Sequence, residues 1–252
     1  MGGLLDGKIC LVTGGGTGIG AATAVKMAEE GATAVVIAAR REQLGEQVAS
    51  ACREHRTSAL FLRTDVTNES DVSVLMARIL SEFGQLDVAF NNAGYQEPRK
   101  LLAEQTPDVY DQVFDANTRS VFLCMRQQLA LMEKQGFGNV IVNTSVSGVR
   151  NSNPGLSLYS ASKAATISLV KSAALEYGPL GIRVNGIAPG RVATDMVINS
   201  GVGSLEAIGA GLPLRRTGKP EEVANAVVWL ASDQASYITG SIITADGGFL
   251  AS

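Results

Sequence analysis

Two groups of residues have types and spacing that suit them to chemistry. The first is the run Thr13-Gly14-Gly15-Gly16-Thr17-Gly18-Ile19-Gly20, followed by an Ala-rich segment. Glycines allow a tight turn and let an anion approach backbone N–H groups at a helix N-terminus, where the dipole favours negative charge. A glycine turn alone is weak evidence, but this one lies between the first strand-like and first helix-like segments. No Lys-Ser/Thr pair follows the glycines, so a Walker A loop is excluded. The expected ligand is a dinucleotide, with Gly14, Thr17, Gly18 and Ile19 around its pyrophosphate. The second strand-like run ends Ile37-Ala38-Ala39-Arg40-Arg41. A carboxylate there would bond the adenosine ribose 2′-hydroxyl and repel a 2′-phosphate. Ala39 stands about where that acid would sit. Arg40 and Arg41 therefore favour NADP(H) over NAD(H) by charge and bidentate geometry. Arg40 is expected in direct contact, with Arg41 flanking the adenine.

The second group is Tyr159 and Lys163, four apart and so on one face of a helix. Five tyrosines and seven lysines in 252 residues give about 0.14 chance matches to this spacing, so the pair alone is only suggestive. Its weight comes from Ser145 and Ser147 at the end of the preceding strand, and from the dinucleotide loop upstream.

These residues need a scaffold that brings strand ends together. Lys8 to Thr13, Thr33 to Ala39, Ser58 to Arg63, Leu86 to Asn91, Asn139 to Asn143, Ile182 to Ala188 and Ser241 to Ala245 read as strands. They are short and apolar on both faces, as parallel strands covered by helices must be. Helical spacing fills Gly20 to Glu30, Asn68 to Phe83, Asp108 to Lys134, Ser160 to Tyr177 and Glu221 to Ser232. The fold expected is α/β: one doubly wound (Rossmann) seven-stranded parallel sheet with helices on both faces, as a single domain over 1–252. Ligands bind such sheets outside the carboxyl ends of the strands. Asp65-Val66 and Asn91-Asn92-Ala93-Gly94 end strands three and four there. Thr67 and Asn68 are better placed to cap the next helix, which leaves Asp65 to face the adenine amino group. From Arg191 to Leu214 neither a strand nor a clear helix cap is visible. Its glycines and apolar residues predict a substrate lid at about 191–214.

Composition closes off other classes. A net charge of −3, with 46% hydrophobic and 18% charged residues, describes a chain with a sizeable core and no nucleic-acid footprint. No apolar run reaches the length of a membrane span, and the N-terminal residues do not resemble a signal peptide. The only histidine, His55, lies in a polar stretch that reads as a solvated helix end, so a Ser-His-Asp hydrolase is not expected. Cys10, Cys52 and Cys124 form no metal spacing, and Cys10 and Cys124 lie in apolar segments. No metal site is expected, and a reducing cytoplasm suits these thiols.

Taken in order, Thr13-Gly14-x-x-x-Gly18-Ile19-Gly20, Asp65-Val66, Asn91-Asn92-Ala93-Gly94, Asn117, Ser145, Tyr159-x-x-x-Lys163, Asn185, Pro189-Gly190 with Thr194, and Asp246-Gly247-Gly248 carry a specific likeness. The chain resembles the short-chain dehydrogenase/reductase family over essentially its full length. The resemblance implies an oxidoreductase moving hydride between nicotinamide and a carbonyl or secondary alcohol of a small molecule. Tyr159 would be the general acid or base, its phenolate favoured by the Lys163 ammonium and the nicotinamide charge. Lys163 would also hold the nicotinamide ribose, Ser145 would donate to the carbonyl oxygen, and Asn117 would hold a water linking Lys163 to solvent. Pro189, Gly190, Val192 and Thr194 would border the nicotinamide, with Val192 and Thr194 at its carboxamide. The family's usual serine-to-tyrosine separation of about thirteen lands here on Val146. Asn143-Thr144 before Ser145, and Gly148 three after it, favour Ser145 over Ser147 with one extra residue in the loop.

Within the family, a 3-oxoacyl-acyl-carrier-protein reductase and an NAD-dependent sugar or polyol dehydrogenase compete with this assignment. The former carries basic residues at about the positions of Gly136 and Leu180. A redox-silent nucleotide sensor on the same fold should lack the Tyr/Lys/Ser set. The family usually forms homotetramers through the helices bearing Asn117 and Tyr159 and through the C-terminal strand and helix. Val227-Val228-Trp229-Leu230 is more apolar than one buried helix stripe requires, which suits such an interface.

Overall fold

A computed structural model describes residues 2–151, 153–200 and 203–252. The first strand, β1 (Ile9–Thr13), is buried at every position, as a strand sandwiched between helices must be. There follow α1 (Gly18–Glu29), β2 (Ala34–Ala39), α2 (Glu42–Arg53), β3 (Ser58–Arg63), α3 (Glu69–Phe83) and β4 (Val88–Asn91). The chain continues through α4 (Pro107–Phe114), α5 (Ser120–Gln135), β5 (Gly138–Asn143), α6 (Val146–Val149), α7 (Ser157–Tyr177) and β6 (Ile182–Pro189). It closes with α8 (Asp195–Ile198), α9 (Leu205–Ala210), α10 (Pro220–Ala231) and β7 (Ile242–Ala245). The seven strands are parallel in the order β3-β2-β1-β4-β5-β6-β7. The chain runs outward from β1 to one edge, then returns to build the other half from β4. That reversal opens a crevice between the carboxyl ends of β1 and β4.

Each face of the sheet has its own core. Met27, Val35, Ile37, Phe90 and Val227 pack together on one side, and Leu75, Ile79, Met125, Leu129 and Val170 on the other. Val227, Val228 and Leu230 are fully buried in the first core and Trp229 packs against it. This corrects the expectation that they mark an interface: their apolarity serves the chain's own core. Cys10, Cys52 and Cys124 are buried, and His55 is exposed in the turn after α2.

Two segments depart from the sequence expectation. The single helix expected from Asp108 to Lys134 is two helices joined by a π-helical turn, Asp115–Arg119, in which the Ser120 N–H reaches back to Asp115 O. Segment 191–214 is not irregular throughout. Thr194 stands at the N-cap of α8, and Ser204 Oγ accepts from the Ala207 N–H (3.2 Å) at the start of α9. Gly201 and Val202 of the expected lid, and Ser152 of the loop before α7, lie outside the described residues.

Candidate active site

A crevice of about 620 Å³ runs along the carboxyl ends of the strands, a size typical of ligand sites. Its β1 end is largely backbone. Gly14 adopts φ +63°, and a Cβ there would come 2.8 Å from Ala93 Cα; Gly18 is also left-handed, at +57°. Only glycine relieves both constraints. The loops after β1, β4 and β5 are bonded into one wall. Asn92 Nδ2 donates to Thr13 O (3.1 Å) and Gly14 O (3.2 Å), and Asn143 Nδ2 donates to Asn92 Oδ1 (2.8 Å). A dinucleotide fits this cradle: the glycines keep it clear of side chains at the N-terminus of the 12-residue α1.

Gly14, Thr17, Gly18, Ile19, Arg40, Arg41, Asp65, Val66, Ala93, Gly94, Pro189, Gly190, Val192 and Thr194 all line the crevice, with Ser145, Tyr159 and Lys163. Asn91 does not: its side chain is buried and exchanges hydrogen bonds with Gln128 of α5 (2.7 and 2.9 Å). Asn92 lines the crevice instead, because strand alternation sends neighbouring side chains to opposite sides. Arg41 Nη2 donates to Thr17 Oγ1 (3.1 Å), joining the end of β2 to the glycine loop. Burial alone would raise the Asp65 pKa, but the Thr67 hydroxyl and N–H, with Arg40 nearby, hold the carboxyl below its usual range.

The other end of the crevice is built from side chains. Lys163 Nζ donates to Asn143 O (2.7 Å) and lies 5.8 Å from the centroid of the Tyr159 ring. Burial pulls the lysine pKa down to about 8. The Ser145 side chain acts to lower the pKa of the Tyr159 phenol, and its Oγ accepts from the Ser147 N–H (3.1 Å). Ser147 Oγ instead accepts from Asn153 Nδ2 (2.8 Å). The protein's own groups give the phenol no net lowering. Burial raises the Tyr159 pKa and outweighs the lowering by Ser145 and Arg191, while one Lys163 donor is spent on a carbonyl.

Asn117 is fully buried in the π turn and does not line the crevice. Its Oδ1 accepts from Tyr95 N (2.7 Å), and its Nδ2 donates to Tyr95 O (2.8 Å) and Ser162 Oγ (2.9 Å). Both side-chain donors are spent bracing the post-β4 loop against α7, so only oxygen lone pairs remain for a water. One contributor has no sequence signal. Glu97, 1% exposed, accepts the Tyr159 backbone N–H on Oε1 (3.0 Å), taking an orphan donor in the first turn of α7. The helix's own N-cap, Leu156, has no side chain for that task.

Among the described residues no group of three or more His, Cys, Asp or Glu side chains is placed to hold a metal ion. Nor is any helix there long and apolar enough to cross a membrane. A glycine cradle at a sheet's switch point, opening onto Tyr159, Ser145 and Lys163, defines a nucleotide-dependent oxidoreductase.

Comparison with known proteins makes the class specific. A family model described as enoyl-(acyl carrier protein) reductase matches residues 14–250. The A-factor type gamma-butyrolactone 1′-reductase (1S-forming) of Streptomyces virginiae is 40% identical over 98% of this chain and 97% of its own. The cis-4-hydroxycyclohexanecarboxylate dehydrogenase of Sinomonas cyclohexanicum is 41% identical over the full length of both. Among solved structures, levodione reductase superposes with a TM-score of 0.94 at 34% identity, covering 98% of this chain and 99% of that one. The chain belongs to the short-chain dehydrogenase/reductase family. Its reaction is that of the family: oxidoreduction between a nicotinamide cofactor and an alcohol or carbonyl group.

Proposed function

We propose that the protein is an NADP(H)-dependent reductase of ketones, and dehydrogenase of the matching secondary alcohols, acting on a small cyclic substrate. The observation that carries this reading is the convergence of Ser145, Tyr159 and Lys163 beside the glycine cradle. The bound nicotinamide supplies the hydride at its C4. Tyr159, whose phenol burial keeps protonated, donates its proton to the carbonyl oxygen. Ser145 receives the Ser147 N–H on its oxygen, which leaves its own proton for the carbonyl oxygen as negative charge develops. Lys163, an ammonium at neutral pH, holds the nicotinamide ribose and stabilises the phenolate left after proton transfer. Val192 and Thr194 border the carboxamide. Asn117 positions the helix that carries Tyr159 and Lys163.

Arg40 and Arg41, with Ala39 in place of an acid, support the choice of NADP(H). Two of the relatives are named for a butyrolactone and a cyclohexanecarboxylate, which supports a ring substrate. The segment 191–214 acts as its lid, since Met196 and Val197 of α8 border the crevice. Buried, unpaired cysteines suit a reducing cytoplasm. Assembly is a homotetramer, supported by the exposed Phe122 on α5 and Leu175 on α7. Sedimentation as a monomer at micromolar concentration would refute it.

A panel of cyclic ketones and alcohols, assayed with NADPH and NADH by nicotinamide absorbance, tests the whole reading. Ketone reduction should run at least about tenfold more efficiently with NADPH, the worth of one charge-assisted contact. Equal efficiency with NADH overturns the cofactor choice. No turnover of any member overturns the substrate class.

A further inference from the structure

Arg191 follows Pro189-Gly190 at the carboxyl end of β6 and lines the same crevice as Ser145 and Tyr159. It is half-buried, and its guanidinium stays charged because arginine does not deprotonate in proteins. Nη2 donates to Asn153 Oδ1, and no other N–H of this side chain donates to a described residue. Among the described residues Arg191 makes no ion pair. Glu97, the carboxylate felt by Tyr159, spends one oxygen on the Tyr159 N–H and, among the described residues, pairs with no arginine. Arg99 is near enough to repel Arg191, and its buried Nε has no partner. A partly desolvated cation without a counter-ion is unfavourable, and a second cation beside it makes it more so. An anion at this point relieves both.

The guanidinium is also held in place. It lies over the Phe249 ring, 5.8 Å from its centroid. Asn153, 6% exposed, carries the hydrogen-bond chain onward to Ser147 Oγ, and the Ser147 N–H continues it to Ser145. A short polar chain thus links the free donors of Arg191 to the residue that receives the carbonyl oxygen.

We propose that Arg191 anchors a carboxylate carried by the substrate, so that the enzyme selects hydroxy and oxo acids whose acid group stands apart from the reacting carbon. This rests on the reductase reading above and names its substrate class. Arg99 adds positive potential from its seat on Pro154 O (2.6 Å).

The test uses the full chain with NADPH and three probes: 4-oxocyclohexanecarboxylate, its methyl ester and cyclohexanone. The wild type should prefer the acid to the ester by about tenfold or more in kcat/KM, and added salt should shrink the preference. Arg191→Met should raise KM for the acid by about tenfold while leaving ester and cyclohexanone within about threefold, and Arg191→Lys should restore part of the loss. Equal use of acid and ester by the wild type overturns the proposal. So does an equal loss on all three probes in Arg191→Met, the mark of a brace for Phe249 and Asn153. In both cases continued cyclohexanone turnover by the wild type leaves the reductase reading standing. Calorimetric titration of cyclohexanecarboxylate into the NADP-loaded protein reads the subsite without turnover. Binding by the wild type and not by Arg191→Met is expected, and equal binding or none contradicts the proposal.

Discussion

At the carboxyl ends of β1 and β4 the crevice wall is mostly backbone. Gly14 and Gly18 sit in left-handed conformations, and Thr13, Asn92 and Asn143 tie the loops into one surface. At the ends of β5 and β6 the wall is side chains: Ser145, Ser147, Asn153, Tyr159, Lys163 and Arg191, with hydrogen bonds running from Arg191 through Asn153 and Ser147 to Ser145. The contrast teaches a division of labour. In the reading proposed above, the backbone half meets the cofactor's pyrophosphate. Side chains tune what is particular: proton affinity, the developing oxyanion and the remainder of the substrate.

Substitutions at Ser145, Ser147 and Tyr159 should therefore alter rate with cofactor binding intact. Ser145→Ala should lower kcat/KM for ketone reduction by about a hundredfold, the usual loss of one oxyanion donor. Ser147→Ala should cost about tenfold at most, because its hydroxyl faces Asn153. Steady-state kinetics on both variants check the ordering, and the reverse ordering would move the oxyanion donor to Ser147. On the cofactor half, Arg40→Asp should weaken NADPH binding by about tenfold and improve use of NADH by offering a carboxylate to the 2′-hydroxyl. Unchanged selectivity would shift the phosphate contact to Arg41, which already reaches Thr17.

A smaller effect, of a few fold, is expected from pH. Burial lowers the Lys163 pKa to about 8, so its charge is present below that pH and lost above it. The efficiency of ketone reduction should be level on the acid side and fall through about pH 8. A profile level well past that point would show that the ammonium is not needed.

The backbone half was the more legible in the sequence. A glycine run between a strand and a helix states its own geometry, and short apolar strands in alternation with helices state the sheet. Where a reading needed register or distance, sequence gave less. Asn91 ends β4 and Asn92 follows it, and the inward turn of Asn91 is seen only in its pairing with Gln128. The π turn at Asn117 is invisible because helical spacing continues on both sides of it. The inward face of Val227, Val228 and Leu230 likewise depends on what α10 packs against. Glu97 lies 62 residues before Tyr159, in a loop with no periodic pattern, so nothing local announced that it would finish the catalytic helix.

The separation of the two halves is tested most directly by Tyr159→Phe, which removes one hydroxyl and leaves the ring in place. The NADPH dissociation constant and the ketone reduction rate should be measured on the same preparation. Binding should stay within about threefold of wild type while turnover falls by at least about two orders of magnitude. Near-normal turnover, or loss of cofactor binding in step with turnover, would contradict the assignment of Tyr159 as the proton donor.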